Sequence, residues 1–256
     1  MKDYRLLFVS GASGSGTTLM AEILTASENV MAVAGKHRTL SRAQDEDAFR
    51  LAKRVNRTTR ELWDRQADVQ TYMAAKNRLP GMIDELLQFK QHAGTTHVMI
   101  KRSAPFDKGD RYRPDMMDML ELFPNLRILI IYRDPRAATY SCQRRGFALN
   151  LRNMAIICEE QLTYLSAQLE TIDPALYKVV QYEKWMQQGV TITEEIAEFA
   201  GIPKQALVEA VKGNRLDGGK NNQWRAGLTD EDAHFLDEFF SAQRRRRWAF
   251  LEKACE

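Results

Sequence analysis

A glycine-rich stretch near the start of the chain, SGASGSGTTLM at residues 10–20, constrains the fold more than any other feature. It follows the apolar run YRLLFV at 4–9, which is typical of a buried strand, and it leads into TTLMAEILTA at 17–26, which is typical of a helix. Glycines allow close backbone approach, and successive N–H groups at a helix start point toward an anion. The pattern predicts a strand, a phosphate-binding loop and a helix.

Strand-like and helical runs alternate along the rest of the chain. Further strands are predicted at 29–35, 96–102, 126–132 and 177–182. This alternation favours an α/β fold with three layers, a parallel sheet covered by helices on both faces. Residues 41–95 show helical patterning, and no linker rich in Pro, Gly or Ser brackets them. We therefore interpret them as a helical insertion within a single domain spanning residues 1–256.

Composition excludes several classes of protein. The net charge is +3, from 37 Lys and Arg against 34 Asp and Glu, which suits an anionic ligand but does not indicate nucleic-acid binding. No apolar run approaches the roughly 18 residues of a membrane span. Cys142, Cys158 and Cys255 lack metal-type spacing and the four histidines are scattered. These features predict a cytoplasmic protein with reduced thiols and no metal site.

The loop departs from the pattern of nucleoside-triphosphate enzymes at one position. Residues Gly11 to Thr18 match G-x-x-x-x-G-K-[ST], except that Thr17 stands where the pattern has lysine. In those enzymes the lysine reaches the β- and γ-phosphates, and the next hydroxyl holds magnesium. The missing lysine argues against phosphoryl transfer. Two alternatives stay open: a P-loop kinase with Asp134 as the magnesium-holding carboxylate, and a glycine-rich turn without a ligand.

A second polar group follows the predicted strand at 126–132. In YRDPRAATYS, Arg133 comes directly after the strand, and Ser141 follows eight residues later in a predicted helix. Ligands of open α/β folds bind at the carboxyl ends of the strands. A guanidinium fork and a serine hydroxyl both suit phosphate oxygens. Either residue alone would also fit an ordinary surface position, but together with the loop they predict a second phosphate contact.

These motifs, in this order, resemble the sulfotransferases that use 3′-phosphoadenosine 5′-phosphosulfate (PAPS). SGSGTT resembles the family's 5′-phosphosulfate loop, and RDPRAATYS is similar to its 3′-phosphate motif. VVQYEKW at 179–185 resembles the strand end whose tyrosine lies near the adenine, and NNQWRAGLTDED at 221–232 resembles the C-terminal segment whose neighbouring basic residues close over the 3′-phosphate. The resemblance implies these nucleotide-binding residues: Ser13, Gly14, Ser15, Gly16, Thr17, Thr18, Arg133, Ser141, Tyr182, Lys220 and Arg225.

Gly14 stands where the family's loop carries a lysine or arginine. That cation neutralises the 5′-phosphate and stabilises the leaving oxygen as the sulfuryl group departs. We expect another cation to replace it. Lys101 resembles the family's strand-end lysine beside the sulfuryl group, and Lys36 follows the second strand, with Arg38 close by. A homologue that binds nucleotide but has lost activity stays open as an alternative.

His37 stands where some members of the family place a glutamate, after the second strand, whereas Ser103 occupies the histidine position of cytosolic members. An unperturbed pKa of about 6.5 suits histidine to general-base work. His92, His97 and Asp107 are weaker candidates.

The expected reaction is in-line transfer of a sulfuryl group from PAPS to a hydroxyl or amine of a small-molecule or carbohydrate acceptor, without a metal. Adenosine 3′,5′-bisphosphate would leave. The insertion at 41–95 is expected to cover the acceptor, and a homodimer is left open.

Three further patterns predict structure rather than binding. The arginine run at 244–247 fits a solvated helix face better than a nucleic-acid or membrane surface. The methionines of PDMMDMLELF, at 114–123, have the helical spacing of core residues. A capping box from Thr191 to Glu194 predicts a helix start, and Gly201 predicts its end.

Overall fold

A computed structural model describes residues 4–34, 46–89, 94–103, 112–147, 150–214, 216 and 222–255. Strands in these ranges form one parallel sheet with the order β2-β3-β1-β4-β5. They are β1 (Arg5–Gly11), β2 (Val30–Ala34), β3 (His97–Lys101), β4 (Arg127–Tyr132) and β5 (Tyr177–Gln181). Each lies within two residues of its predicted bounds, which confirms the parallel α/β sheet.

Helices connect these strands and form the C-terminal part of the chain. They are α1 (Thr17–Leu24), α2 (Glu46–Leu62), α3 (Val69–Leu87), α4 (Met116–Leu122), α5 (Pro135–Gln143), α6 (Leu151–Leu169), α7 (Tyr182–Gln187), α8 (Gly189–Ala200), α9 (Lys204–Asn214), α10 (Gln223–Gly227), α11 (Asp230–Phe239), α12 (Ala242–Arg245) and α13 (Ala249–Lys253). Within the described ranges, no helix combines the length and apolar character that a bilayer-spanning segment requires.

Two apolar cores, one on each face of the sheet, hold the layers together. Side chains alternate along β1, so that Leu6 and Phe8 enter one core while Leu7 and Val9 enter the other. The first core contains residues of α2, α3, α6 and the C-terminal helices. The second contains residues of α1, α7, α8 and α9. Burial of apolar surface on both faces confirms the predicted three layers.

Helices α2 and α3 supply the crossover between β2 and β3. These two strands are neighbours and run parallel, and a parallel pair needs a crossover connection. Trp63, just after α2, packs against Phe8 of the central strand, with ring centroids 5.6 Å apart. The described part of the predicted insertion contains the helices α2 and α3, and one of its faces packs against the sheet. That it is an insertion within a single domain stays a prediction. Its cover over an acceptor stays a prediction.

The predicted capping box at Thr191 and Glu194 is wrong. Helix α8 begins at Gly189, two residues before Thr191, because the N–H of Ile192 already donates to the carbonyl of Gln188 at 3.1 Å. No side chain caps this helix start. The predicted end is confirmed, since Gly201 follows the helix with a left-handed φ of 72°.

The methionine-rich segment mostly packs as predicted. Met116 and Met119 are fully buried in the first core, whereas Met117 is 49% exposed.

The arginine run does more than form a solvated face. Arg244 and Arg247 each place a guanidinium nitrogen 2.8 Å from a carboxylate oxygen of Glu159 on α6. Glu159 is only 5% exposed, and a buried carboxylate requires charged partners. These two arginines therefore link the C-terminal helices to α6. Their side chains are also exposed to solvent, in agreement with the predicted solvated face.

Candidate functional site

The register of three strands gathers the predicted site residues at one edge of the sheet. Val9 of β1 pairs with Lys101 of β3, and Gly11 of β1 pairs with Ile131 of β4. The loop after β1, Lys101 and Arg133 therefore all lie at the carboxyl ends of neighbouring parallel strands. This edge is where ligands bind in open α/β folds.

Two glycines let the loop lie directly against its neighbours. Gly14 has a φ of 83°, and a Cβ atom there would overlap the carbonyl of Ala138 and lie 2.9 Å from Cys142 Sγ, both on α5. Gly16 has a φ of 104°, and a Cβ atom there would lie 2.7 Å from the ring of Tyr182. Both the left-handed backbone and the close contacts require glycine.

Some backbone N–H groups of the loop donate hydrogen bonds within its own turn, and others lie at the start of helix α1. The N–H of Ser15 donates to the carbonyl of Ala12 at 3.1 Å, which closes a turn. The N–H of Met20 donates to the carbonyl of Gly16 at 3.1 Å. The N–H groups of the first turn of α1, which begins at Thr17, have no acceptor within that helix, and they form the electropositive end that suits an anion.

The side chains of the loop differ in exposure. Ser15 and Thr17 are buried, while Thr18 is exposed at the site. Both the N–H and the hydroxyl of Ser13 contact Gln161 of α6. Nucleotide binding by these residues stays a prediction.

Arg133 links the loop to the second predicted phosphate motif. It is 8% exposed, and its Nη1 donates to the carbonyl of Gly14 at 3.0 Å. Its guanidinium carbon also lies 4.4 Å from the ring centroid of Tyr182, the first residue of α7. Arg133, Tyr182 and the loop thus form one packed unit, with Tyr182 buried beneath Gly16.

Arg145 is a site residue that the sequence reasoning missed. Its Nη2 donates to Ser141 Oγ at 2.8 Å, which places a second guanidinium beside the predicted 3′-phosphate contact. Burial raises the pKa of Cys142 to about 11, and the nearby charges of Arg145 and Arg133 oppose that rise. Both arginines therefore lie near the α5 surface on which the loop rests. The spacing of four residues between Ser141 and Arg145, close to one helical turn, was the available signal.

Lys101 lies next to the loop and is a described candidate for the missing cation. Its Nζ donates to Thr18 Oγ1 at 3.4 Å. Burial lowers the pKa of Lys101 to about 8, and the charges of Arg102 and Arg145 contribute to this shift. The other predicted cation, Lys36, lies outside the described residues, as do His37 and Lys220.

Arg225 lies in the C-terminal segment, close to α5. Its guanidinium is 3.4 Å from Asp237 and 4.5 Å from the ring centroid of Trp224. The side chain is about half exposed, so it remains accessible to a ligand.

Asp134 is engaged by a neighbouring arginine. It caps α5 by accepting from the N–H of Arg136 at 2.9 Å, and its Oδ2 lies 2.6 Å from the Arg136 guanidinium. Burial raises the pKa of Asp134, but the hydrogen bonds and charge of Arg136 outweigh this and hold that pKa below its usual value. This engagement argues against a magnesium-holding role. Among the residues that the structure describes, no group of three or more His, Cys, Asp or Glu side chains could hold a metal.

Comparison with known proteins points to one family. The model of the sulfotransferase family matches residues 7–206. Protein-tyrosine sulfotransferase 1 of mouse and that of human are each 27% identical to the chain over 158 residues, covering 58% of this chain. The match covers only 38% of the length of these relatives.

Several solved structures share the fold. The sulfotransferase domain from the curacin biosynthetic pathway is 14% identical, with a TM-score of 0.61 and coverage of 98% of this chain and 99% of that one. The sulfotransferase from Alicyclobacillus acidocaldarius is 13% identical, with a TM-score of 0.57 and coverage of 98% and 97%. Mouse sulfotransferase SULT7A1 complexed with PAP is 10% identical, with a TM-score of 0.55 and coverage of 99% and 88%. At such identities the likeness concerns the fold alone.

The close contact of Gly14 with α5 predicts an asymmetry between two glycine substitutions. Gly146 also has a left-handed φ, of 70°, but a Cβ atom there would meet nothing within 4 Å. Gly14→Ala and Gly146→Ala should both incur the left-handed strain of about 1 kcal/mol. Only Gly14→Ala also forces the loop away from α5, so we expect it to lose at least about 1 kcal/mol more free energy of unfolding in urea. Equal losses would contradict the contact.

The lowered pKa of Lys101 predicts a pH dependence of anion binding. Below its pKa of about 8 the ammonium is present and its attraction for a phosphate is complete, and this attraction is lost as the pH rises through 8. The affinity for adenosine 3′,5′-bisphosphate, measured by calorimetry, should therefore fall above pH 8 by up to about tenfold per pH unit. Lys101→Arg should flatten the profile between pH 7 and about 9.5, because arginine stays charged. A profile that is the same in both proteins would rule out Lys101 as the titrating group.

Proposed function

Since the chain belongs to the sulfotransferase family, we propose that it transfers a sulfuryl group from PAPS to an acceptor hydroxyl or amine by in-line displacement. One observation carries this proposal: two groups suited to anions, the loop at the start of α1 and the pair Arg133 and Ser141, are joined by the hydrogen bond from Arg133 to the Gly14 carbonyl. PAPS carries anionic groups at both its 5′ and 3′ positions. The likeness in fold to a sulfotransferase complexed with PAP supports the same donor.

The described residues fit such a donor. Gly14 and Gly16 carry no side chain that could screen the N–H groups at the start of α1, where a phosphosulfate would bind. Arg133, Ser141 and Arg145 would hold the 3′-phosphate, and Arg225 would approach it from the C-terminal segment. Tyr182, beneath Gly16, would contribute to the adenine side of the site. Lys36 and Lys220 stay proposed as additional cations on sequence grounds.

Lys101 is the residue proposed to stabilise negative charge during the reaction. PAPS, when bound, supplies the sulfuryl group, whose bond to the bridging oxygen breaks as the new bond from the acceptor to sulfur forms. Lys101 would stabilise the negative charge that develops on this bridging oxygen, because its Nζ lies beside the loop residue Thr18. The chain thus supplies from β3 the charge that its loop lacks at Gly14.

His37 is the proposed general base, on the ground of its place in the sequence. Of the weaker candidates, His97 lies at the start of β3, the opposite end of that strand from Lys101, and its ring nitrogen lies 3.1 Å from the carbonyl of Ala200. Burial lowers the pKa of His97, which keeps the ring neutral, but its position separates it from the loop. His92 and Asp107 lie outside the described residues.

The proposed acceptor is a hydroxyl or amine of a small molecule or carbohydrate. The protein-tyrosine sulfotransferases that the chain partly matches add a second candidate, the phenolic hydroxyl of a tyrosine in a protein. The described cysteines are free, and Cys142 and Cys158 are buried, which supports a reducing compartment; we therefore propose a cytoplasmic location.

Nucleotide binding without magnesium tests the donor. Wild-type protein should bind adenosine 3′,5′-bisphosphate in the presence of a chelator. Ser141→Ala and Arg145→Ala should each weaken this binding about tenfold, because each removes a hydrogen bond to a charged group, while the affinity for adenosine 5′-monophosphate should stay unchanged.

Arg144→Ala is the matched control for Arg145→Ala, because Arg144 is also exposed but stacks on Tyr140, 5.6 Å from its ring centroid. Tight binding of ATP with magnesium, without binding of the bisphosphate, would overturn the proposal in favour of a kinase.

Turnover tests the chemistry. Incubation with PAPS and a panel of alcohols, sugars, amines and tyrosine peptides should release adenosine 3′,5′-bisphosphate with at least one acceptor. His37→Ala should lower kcat by about 100-fold or more, the usual contribution of a general base, with unchanged affinity for the bisphosphate. An active His37→Ala would remove His37 from the mechanism. Binding without any turnover would favour the inactive homologue.

A further inference from the structure

Gln161 of α6 binds Ser13 of the glycine-rich loop at two points. Its Oε1 accepts a hydrogen bond from the N–H of Ser13 at 2.7 Å, and its Nε2 donates to Ser13 Oγ at 3.1 Å. Gln161 is 1% exposed, so solvent does not compete for these contacts. One carboxamide thus satisfies both the backbone and the side chain of Ser13.

We propose that Gln161 is a positioning residue for the donor-binding loop, an inference that rests on the proposed function. It holds Ser13 at the base of the loop, so that the N–H groups at the start of α1 face the 5′-phosphosulfate. Gln161 itself does not touch the donor, because its carboxamide is directed at Ser13.

The loop's composition explains why it needs to be held in place by the contact between Gln161 and Ser13, which we call the brace. Three of its residues are glycines, which lose the most conformational freedom when they are ordered. The turn from Ala12 to Ser15 is closed by one backbone hydrogen bond of 3.1 Å. Bonding of Ser13 to a buried group on α6 fixes the entry to that turn before a ligand arrives. An ordered loop binds more tightly, since less entropy is lost on binding.

Three separate elements then hold three successive parts of the loop. Gln161 of α6 holds Ser13, Arg133 after β4 holds the carbonyl of Gly14, and Tyr182 of α7 packs against Gly16. Of these, Gln161 is bonded to Ser13, on the 5′ side of the proposed site. Its loss should therefore affect binding of a 5′-phosphate and spare binding of a 3′-phosphate.

The same helix offers a matched control. Gln168 of α6 also accepts a hydrogen bond from a backbone N–H, that of Met116 at the start of α4, at 2.9 Å. Gln168→Met and Gln161→Met make the same chemical change on the same helix and each remove one acceptor of a backbone N–H. Only Gln161→Met releases the loop.

Hydrogen exchange of the ligand-free protein tests the brace without reference to any ligand. In Gln161→Met the amides of residues 13–16 should exchange about tenfold faster or more than in the wild type, because the N–H of Ser13 loses its acceptor. Gln168→Met should leave these amides at the wild-type rate. Wild-type exchange of the loop in Gln161→Met would overturn the proposal, whatever ligand the protein takes.

The consequence for binding is tested with adenosine 3′,5′-bisphosphate and with two nucleotides that each carry only one of its phosphates. In Gln161→Met the dissociation constants of adenosine 3′,5′-bisphosphate and adenosine 5′-monophosphate should both rise about tenfold, while that of adenosine 3′-monophosphate should stay within twofold of wild type. Gln168→Met should change none of the three. An equal loss for all three ligands in Gln161→Met would indicate a general structural defect and overturn the positioning role.

Ser13→Ala keeps the test decisive if Gln161→Met fails to fold. It removes the bond between Gln161 and the hydroxyl but keeps the bond to the N–H, so it should give the same ligand pattern with about a threefold loss. An unchanged affinity for the 5′-monophosphate in Ser13→Ala would then count against the brace. Failure of the proposed function would give a different result, because the wild type itself would bind none of these nucleotides. The exchange experiment would then still show whether Gln161 holds the loop in place.

Discussion

Parallel strand pairing in one register is the constraint on which the site depends. Because Val9 pairs with Lys101 and Gly11 pairs with Ile131, the loop, a lysine and the arginine that follows β4 arrive at the same edge from distant parts of the chain. A slip of one residue would turn every side chain of a strand to the opposite face. Lys101 would then point away from Thr18. Since both faces of β1 are buried in separate cores, such a slip would also disrupt both of them, and the cores therefore protect the site's geometry.

The charge of the site comes from the elements around the loop rather than from the loop itself. Gly14 lies too close to α5 for any side chain, so the loop has no room for a cation at that position. Lys101 and Arg145 stand nearby, and their mutual repulsion contributes to the lowered pKa of Lys101. An anion placed among these charges would relieve that repulsion. Fixed charges of one sign, held apart by a rigid framework, are the arrangement that stabilises negative charge developing in a reaction.

The sequence was sufficient to predict features that depend on local pattern, such as the strands, but not contacts between segments that are distant in the chain. Apolar runs between turn residues located the strands, and the end of the fourth predicted strand located Arg133 at the carboxyl edge of the sheet. The contact of Gln161 with Ser13 spans 148 positions, and nothing in either segment indicates the other. The same holds for Glu159, whose arginine partners lie 85 and 88 positions away. The prediction of a capping box at Thr191 was wrong because that pattern only permits a helix start. The hydrogen bond from the N–H of Ile192 to the carbonyl of Gln188 shows that the helix begins before Thr191.

Asp134 distinguishes the two chemistries that a glycine-rich loop can serve. Phosphoryl transfer from a triphosphate relies on metal ions to neutralise several charges, and a carboxylate near the loop usually holds that metal. Here the Asp134 carboxylate caps α5 and binds Arg136, which also pairs with Asp237 at 2.5 Å and lies 5.0 Å from the ring centroid of Trp224. A metal at Asp134 would have to displace Arg136 and release the C-terminal segment from α5. In the proposed reaction a singly charged sulfuryl group would require fewer cations, and Lys101, Arg133 and Arg145 would supply them without disturbing this network.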